Sequence, residues 1–253
     1  MFGFNNTTPD NLVLDYAGVT DLGCRREINE DSLGYFPPAD PSGTHLLVIA
    51  DGVGGSAAGE VASRIAVEVV GRTFFANGEP ADTVHALREA MLAANREVYD
   101  QSAQDPHYAG MATTCTCAAV KGETLVIGHV GDCRAFMALG GELIQLTHDH
   151  SMSNDYAREG MPLPPEMEPM AQVLTRWFGQ EGDVDVEMSE LMEFKKHNTL
   201  VICSDGLTKT VTPDEILHSV SMHLSEPACR RLVDLARERG GPDNITVQVA
   251  RLR

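Results

Sequence analysis

The chain has 253 residues, 43% of them hydrophobic, and its 37 acidic against 19 basic side chains leave a formal net charge of −18. Such a length supports a large buried core, while the negative charge repels nucleic acid and anionic membranes, so neither is expected as a partner. Six cysteines without regular spacing read as reduced thiols, and there is no signal-peptide pattern or apolar run of bilayer length, so the expected location is the cytoplasm.

Residues 1–12 are polar and irregular and read as a flexible leader. No Pro/Gly/Ser-rich linker or charge block divides 13–253, which reads as a single domain. Alternation predicts a strand over 13–20, and a charged loop follows from Gly23 to Asp31. Short apolar pieces at 33–36 and 45–50 suit a strand meander. The second piece runs Leu46-Leu47-Val48-Ile49-Ala50 straight into Asp51-Gly52-Val53-Gly54-Gly55. An unbroken apolar run reads as a buried strand, and it delivers the Asp51 carboxylate to a turn where glycines let the main chain approach an ion.

Helical spacing then recurs twice, at Ala62, Ile65, Ala66, Val69 and Val70, and at Val84, Leu87, Met91, Ala94 and Val98. Asp82 is the expected N-cap of the second helix, and Pro106 ends it at the latest. Strands are predicted over 112–120, 125–130, 134–139 and 142–147, with Lys121-Gly122 and Gly140-Gly141 as hairpin turns that force antiparallel pairing. Cys115 and Cys117 fall on one face of the first of these strands and read as core. A short helix near 151–159 opens a Met- and Pro-rich irregular flap, about 148–178, which starts from a His148-Asp149-His150 segment read as structural. A second buried strand, 200–204, ends at Ser204-Asp205-Gly206. Helices are expected near 213–222 and 227–239, and the turn Gly241-Pro242-Asp243-Asn244 leads into a closing strand over 245–252. Runs of hairpins interrupted by paired helices describe an α+β protein. We expect a four-layer α/β/β/α sandwich of two antiparallel sheets flanked by helices.

Three aspartates, Asp51, Asp205 and Asp243, thus stand beside turns at strand ends. Carboxylate and carbonyl ligation without a suitably placed His or Cys points to Mg²⁺ or Mn²⁺, and two such ions can both activate water and stabilise charge on a phosphate ester. Glu30 and Asp31 fit a role through the ions' waters, and Arg26 fits bidentate capture of the substrate phosphate.

These residues, taken with their neighbours, resemble the type-2C metal-dependent protein Ser/Thr phosphatases, particularly compact bacterial members. The resemblance runs from about residue 15 to 252. It rests, in order, on Arg26 to Ser32, Asp51 to Gly55, Ala58 to Ser63, Thr113-Thr114, Gly128 to Arg134, Ser204 to Leu207 and Gly241 to Thr246. It implies two Mg²⁺ or Mn²⁺ ions bridged by Asp51, with the Gly52 carbonyl on one and Asp205 and Asp243 on the other. Glu30, Asp31 and Asn244 would act in the surrounding shell, and a water between the ions would attack phosphorus directly. Asp132, together with Asp205, would help hold a third, weaker ion. Relatives can complete that site with a flap serine where this chain has Gln172. The implied substrates are phosphorylated proteins, targets of a partner Ser/Thr kinase, acted on by a monomer. Many eukaryotic members place a histidine general acid directly after the Asp-Gly pair. This chain has Val53, so proton delivery to the leaving group would come from a metal-bound water. Two alternatives stay open at this level: a pseudophosphatase-type binding module, and a hydrolase of small phosphoesters with the same fold.

Overall fold

The computed structural model describes residues 12–53 and 58–253; the expected leader up to residue 11, and Gly54 and Gly55 of the glycine run, lie outside them. The first sheet has the strand order β1-β11-β10-β6-β7, built from β1 (Leu14–Asp21), β6 (Arg134–Leu139), β7 (Glu142–Gln145), β10 (Thr199–Cys203) and β11 (Ile245–Leu252). The second has the order β2-β3-β4-β5-β8, from β2 (Asp31–Phe36), β3 (Thr44–Asp51), β4 (Cys115–Lys121), β5 (Thr124–Val130) and β8 (Glu187–Met188). A further two-residue strand, β9 (Met192–Glu193), also pairs with β5. All named pairings are antiparallel. At the β6–β7 hairpin Gly140 and Gly141 adopt φ of +61° and +87°, the pair of left-handed residues that matches the twist of the flanking strands.

The apolar runs are continuous because both faces of the central strands are covered. In β3, Leu46, Val48 and Ala50 face α1 (Gly59–Phe74) and α2 (Thr83–Gln104), whereas Leu47 and Ile49 face the other sheet. In β10, Leu200 and Ile202 point between the sheets. Val201 and Cys203 instead meet the layer of α4 (Asp205–Thr208), α5 (Pro213–Met222) and α6 (Ser225–Glu238). Four layers in the order helix, sheet, sheet, helix follow directly, as the alternation predicts. Cys115 and Cys117 lie together in the helix-facing core with their sulfurs 3.6 Å apart. The Asp82 carboxylate caps α2 by accepting from the His85 amide.

Three expectations need correcting. The strand predicted from 112 begins at Cys115, because Ala112, Thr113 and Thr114 leave the ladder to bond Val53, Asp51 and Phe178. The last helix starts at Ser225, earlier than the predicted 227, where the serine hydroxyl donates to the Asp15 carbonyl and carboxylate on β1. The flap is narrower than 148–178. It contains α3 (Met152–Arg158) and a 3₁₀ turn over Pro165–Met170, but His150 and Phe178 at its two ends are fully buried. Thr175 donates to the His150 carbonyl, and Phe178 exchanges two backbone hydrogen bonds with Thr113. Among the described residues no helix is long and apolar enough to cross a membrane.

Candidate metal and phosphate site

Antiparallel pairing places Asp51, at the end of β3, directly opposite Asp31, at the start of β2. Asp205 follows β10 and Asp243 precedes β11, and these two strands are neighbours in the other sheet. The carboxylates therefore meet at one end of the sandwich. An open cavity of about 200 Å³ there is lined by Arg26, Asp51, Gly52, Val53, Asp132, Asp205, Lys209 and Asp243, with Thr114 and Leu174 at its sides.

Small residues make this approach possible. A Cβ on Gly206 would strike the Asn244 carbonyl, so the Asp205 turn lies directly on the Asp243 turn. A Cβ on Gly52 would come within 2.5 Å of the Gly59 backbone, which closes the β3 end against the start of α1.

The main chain of Asp51 is clamped. Its amide donates to Thr114 Oγ1 at 3.0 Å, and its carbonyl accepts from Thr113 Oγ1 at 2.9 Å and the Thr114 amide at 2.8 Å. Asp31 joins the two sheets, its Oδ2 accepting from Ser204 at 2.7 Å and Thr246 at 2.6 Å, while its Oδ1 is buried without a hydrogen-bond donor. Burial, with the charge of Asp205 adding to it, lifts Asp31 to about 6, against the hydrogen bonding to Thr246, Ser204 and Asp51 that lowers it. Burial, followed by the charges of Asp31, Asp205, Asp132 and Asp243, raises Asp51 well above the carboxylate range. Burial raises Asp132 to about 7, with Asp205 and Asp149 adding to the effect. A buried acceptor lacking a donor, inside a group of carboxylates that resist ionising together, is the electrostatic signature of a site built for cations.

The cations seen there are side chains. Arg26 grips Asp243 with Nε to Oδ1 at 2.8 Å and Nη2 to Oδ2 at 3.0 Å, and reaches Glu30 at 3.5 Å. The Lys209 ammonium spans Asp205 at 2.6 Å and Asp243 at 2.7 Å, and these partners raise it above the ordinary lysine range despite its burial. Among the described residues no three His, Cys, Asp or Glu side chains converge at metal-ligand geometry. The donor set of carboxylates with the Gly52 backbone suits a hard divalent ion.

Each residue singled out from the sequence is thus placed. Arg26, Asp51, Gly52, Asp132, Asp205 and Asp243 line one cavity. Glu30 sits behind it, its carbonyl accepting from the Gly52 amide. The Asn244 side chain is engaged by the loop before β2: Oδ1 accepts from the Glu30 amide, and Nδ2 donates to the Leu22 and Ile28 carbonyls. It positions the segment that carries Arg26 and Glu30.

Sequence reasoning missed Lys209, although its place four residues after Asp205 is the spacing of a helical ion pair. It also gave no role to Ser204, Thr246 or Thr113-Thr114, whose hydroxyls act only once the strands have met. The His148-Asp149-His150 segment is structural. Asp149 forms a fork with Arg134 at 2.6 and 2.9 Å, and both histidines bond Glu187.

The protein phosphatase 2C family model matches residues 25–243. The serine/threonine protein phosphatase PstP of Mycobacterium tuberculosis is 35% identical over 243 residues, which cover 94% of this chain and 45% of PstP, so this chain spans less than half of that relative. Protein phosphatase PhpP of Streptococcus pneumoniae is 31% identical over 240 residues, 92% of this chain and 96% of PhpP. The solved catalytic domain of PstP in complex with two manganese ions matches with a TM-score of 0.80 and 33% identity over 95% of this chain and 99% of that one.

Proposed function

The chain belongs to the protein phosphatase 2C family, and on that premise we propose that it removes phosphate from phosphoserine and phosphothreonine in proteins, using two Mg²⁺ or Mn²⁺ ions held by Asp51, Asp205 and Asp243. The observation that carries this reading is the meeting of three carboxylates from distant segments, with Arg26 beside them, on one open cavity. Bound divalent ions supply positive charge that acidifies an attacking water and offsets charge on the phosphoryl oxygens.

The protein's own groups do the rest. The Thr113 and Thr114 hydroxyls fix the backbone of Asp51 beside Gly52, both of which line the cavity. Asp31, locked by Ser204 and Thr246, and Glu30, held by Arg26, would accept hydrogen bonds from the water around bound ions. The Arg26 guanidinium, already bidentate to a carboxylate, offers the same fork to phosphate oxygens. Asp132 would join Asp205 at a third, weaker ion. All three core aspartates are present, which separates this chain from a binding-only relative that has lost one. The substrates would be products of a partner Ser/Thr kinase in the cytoplasm, and the enzyme would work as a monomer.

Purified protein should hydrolyse a phosphothreonine peptide with Mn²⁺. Chelator should abolish the activity, and Asp205→Asn should lower it by about a hundredfold or more, the scale of losing a principal electrostatic contact in the transition state. Activity that persists in the chelated sample would contradict the reading.

A further inference from the structure

Lys209 sits one residue past α4, its backbone amide bonded to the Asp205 carbonyl at 2.8 Å, and it folds its side chain back over its own turn. Its ammonium contacts Asp205 at 2.6 Å and Asp243 at 2.7 Å, and so bridges the two turns that Gly206 brings together. An ammonium carries three donors and a full positive charge, so on Asp205 Oδ2 and Asp243 Oδ2 it neutralises these carboxylates and its charge opposes a divalent ion on the same pair. The side chain is 42% exposed on a flexible stem and has open solvent into which to swing. The other cation on Asp243, Arg26, grips it from the loop before β2, so Asp243 keeps a partner if Lys209 leaves.

We propose that Lys209 is a built-in counter-ion: its ammonium holds Asp205 and Asp243 together and competes by its charge with a divalent ion for this pair. The inference rests on the metal-dependent reading above. Two consequences follow from the geometry. Lys209 weakens divalent-ion binding at the Asp205–Asp243 pair, because its positive charge stands against the ion's at contact distance. It also protects the metal-free fold from repulsion between the two turns. The chain would thereby wait for metal in a folded state and answer to changes in Mn²⁺ or Mg²⁺ concentration at a level set by this lysine.

The test uses the full chain stripped with chelator. Lys209→Met removes the charge and keeps most of the stem; Lys209→Arg keeps the charge. Mn²⁺ is titrated calorimetrically, and thermal midpoints are read without metal and at saturating Mn²⁺. Lys209→Met should bind the weaker Mn²⁺ equivalent about tenfold more tightly, the modest end of what removing one unit charge at contact distance gives near a surface. Its midpoint should fall in chelator and match the parent protein at saturating Mn²⁺, while Lys209→Arg should bind within about threefold of the parent on the same argument. Unchanged Mn²⁺ affinity in Lys209→Met overturns the counter-ion role, and so does tightened affinity in Lys209→Arg, which retains the cation and does not depend on the methionine variant folding. Failure of the parent protein to bind Mn²⁺ at all would instead overturn the metal-dependent reading itself.

Discussion

At the scale of single residues, the site divides into groups that face the cavity and groups that hold them. Val53 is the informative member of the first set. It lines the cavity next to Gly52 and has no side-chain proton to give a leaving group. Serine and threonine alkoxides are poor leaving groups, so the phosphopeptide reaction should suffer from this more than hydrolysis of an aryl phosphate. Val53→His is expected to raise the phosphopeptide-to-aryl ratio of kcat/KM by about tenfold or more, given the 10²–10⁴-fold that a positioned acid contributes. An unchanged ratio would show that protonation of the leaving group is not limiting. Asp51, Asp205 and Asp243 were legible in the sequence because Asp-Gly pairs follow apolar runs and the Asp-Asn pair precedes one, a local pattern. Ser204, Thr246 and Lys209 were not, because their partners come from another sheet or turn: Ser204 and Thr246 find Asp31, and Lys209 finds Asp243.

At the scale of elements, position is set by close contact between turns. Gly206, the second residue of α4, leaves no room for a Cβ against the Asn244 carbonyl. Gly206→Ala should force these turns apart and lower stability by about 1–3 kcal/mol, the usual range for overpacking. Chemical denaturation would measure this; a loss under about 0.5 kcal/mol would mean the turns can separate freely, against the packing described. The central strands were legible in full because β3 and β10 are covered on both faces and read as unbroken apolar runs. The segment 112–114 misled because its β-forming composition is overridden by bonds to Asp51 and Phe178. The flap was read as too long for a similar reason: Phe178 and His150 anchor its ends through backbone pairing that has no periodic signal. Strands β8 and β9 went unread, being two residues each and existing only against the edge of β5.

At the scale of the whole molecule, two sheets from separate parts of the chain are tied at one end by carboxylates and at the flap base by a buried histidine network. His129 Nδ1 faces the Thr116 hydroxyl at 2.8 Å and Nε2 faces the His148 carbonyl at 3.0 Å, which makes Nε2 a donor. Burial, with the neighbouring His150, holds His129 down to about 3, against the raising effects of Glu187 and Asp149. Burial would raise Glu187, but hydrogen bonds from His148 and His150 bring it to about 2; Arg158 also pairs with it, and Arg176 flanks His150. Both groups are depressed on folding, so each contributes stability that is complete above its unfolded pKa and is lost as pH falls, from about 6.5 towards 3 for His129 and from about 4.5 towards 2 for Glu187. The raised carboxyls of Asp31 and Asp132 act in the opposite sense in metal-free protein, so the comparison belongs between variants. His129→Gln should show a shallower fall in thermal midpoint between pH 6.5 and 4 than the parent protein in the same chelated buffer, and an equal slope would remove His129 from the acid transition. The four layers bring Asp51 from one sheet beside Asp205 and Asp243 from the other on one cavity, and the proposal that these three hold metal is tested most directly by counting bound metal. Calorimetric titration of chelated protein with Mn²⁺ should give about two equivalents at the core site, and Asp51→Asn should abolish or severely weaken both, because in the proposed function that carboxylate would be shared between them. Two equivalents retained at unchanged affinity in Asp51→Asn, or no binding to the parent protein, would contradict the account.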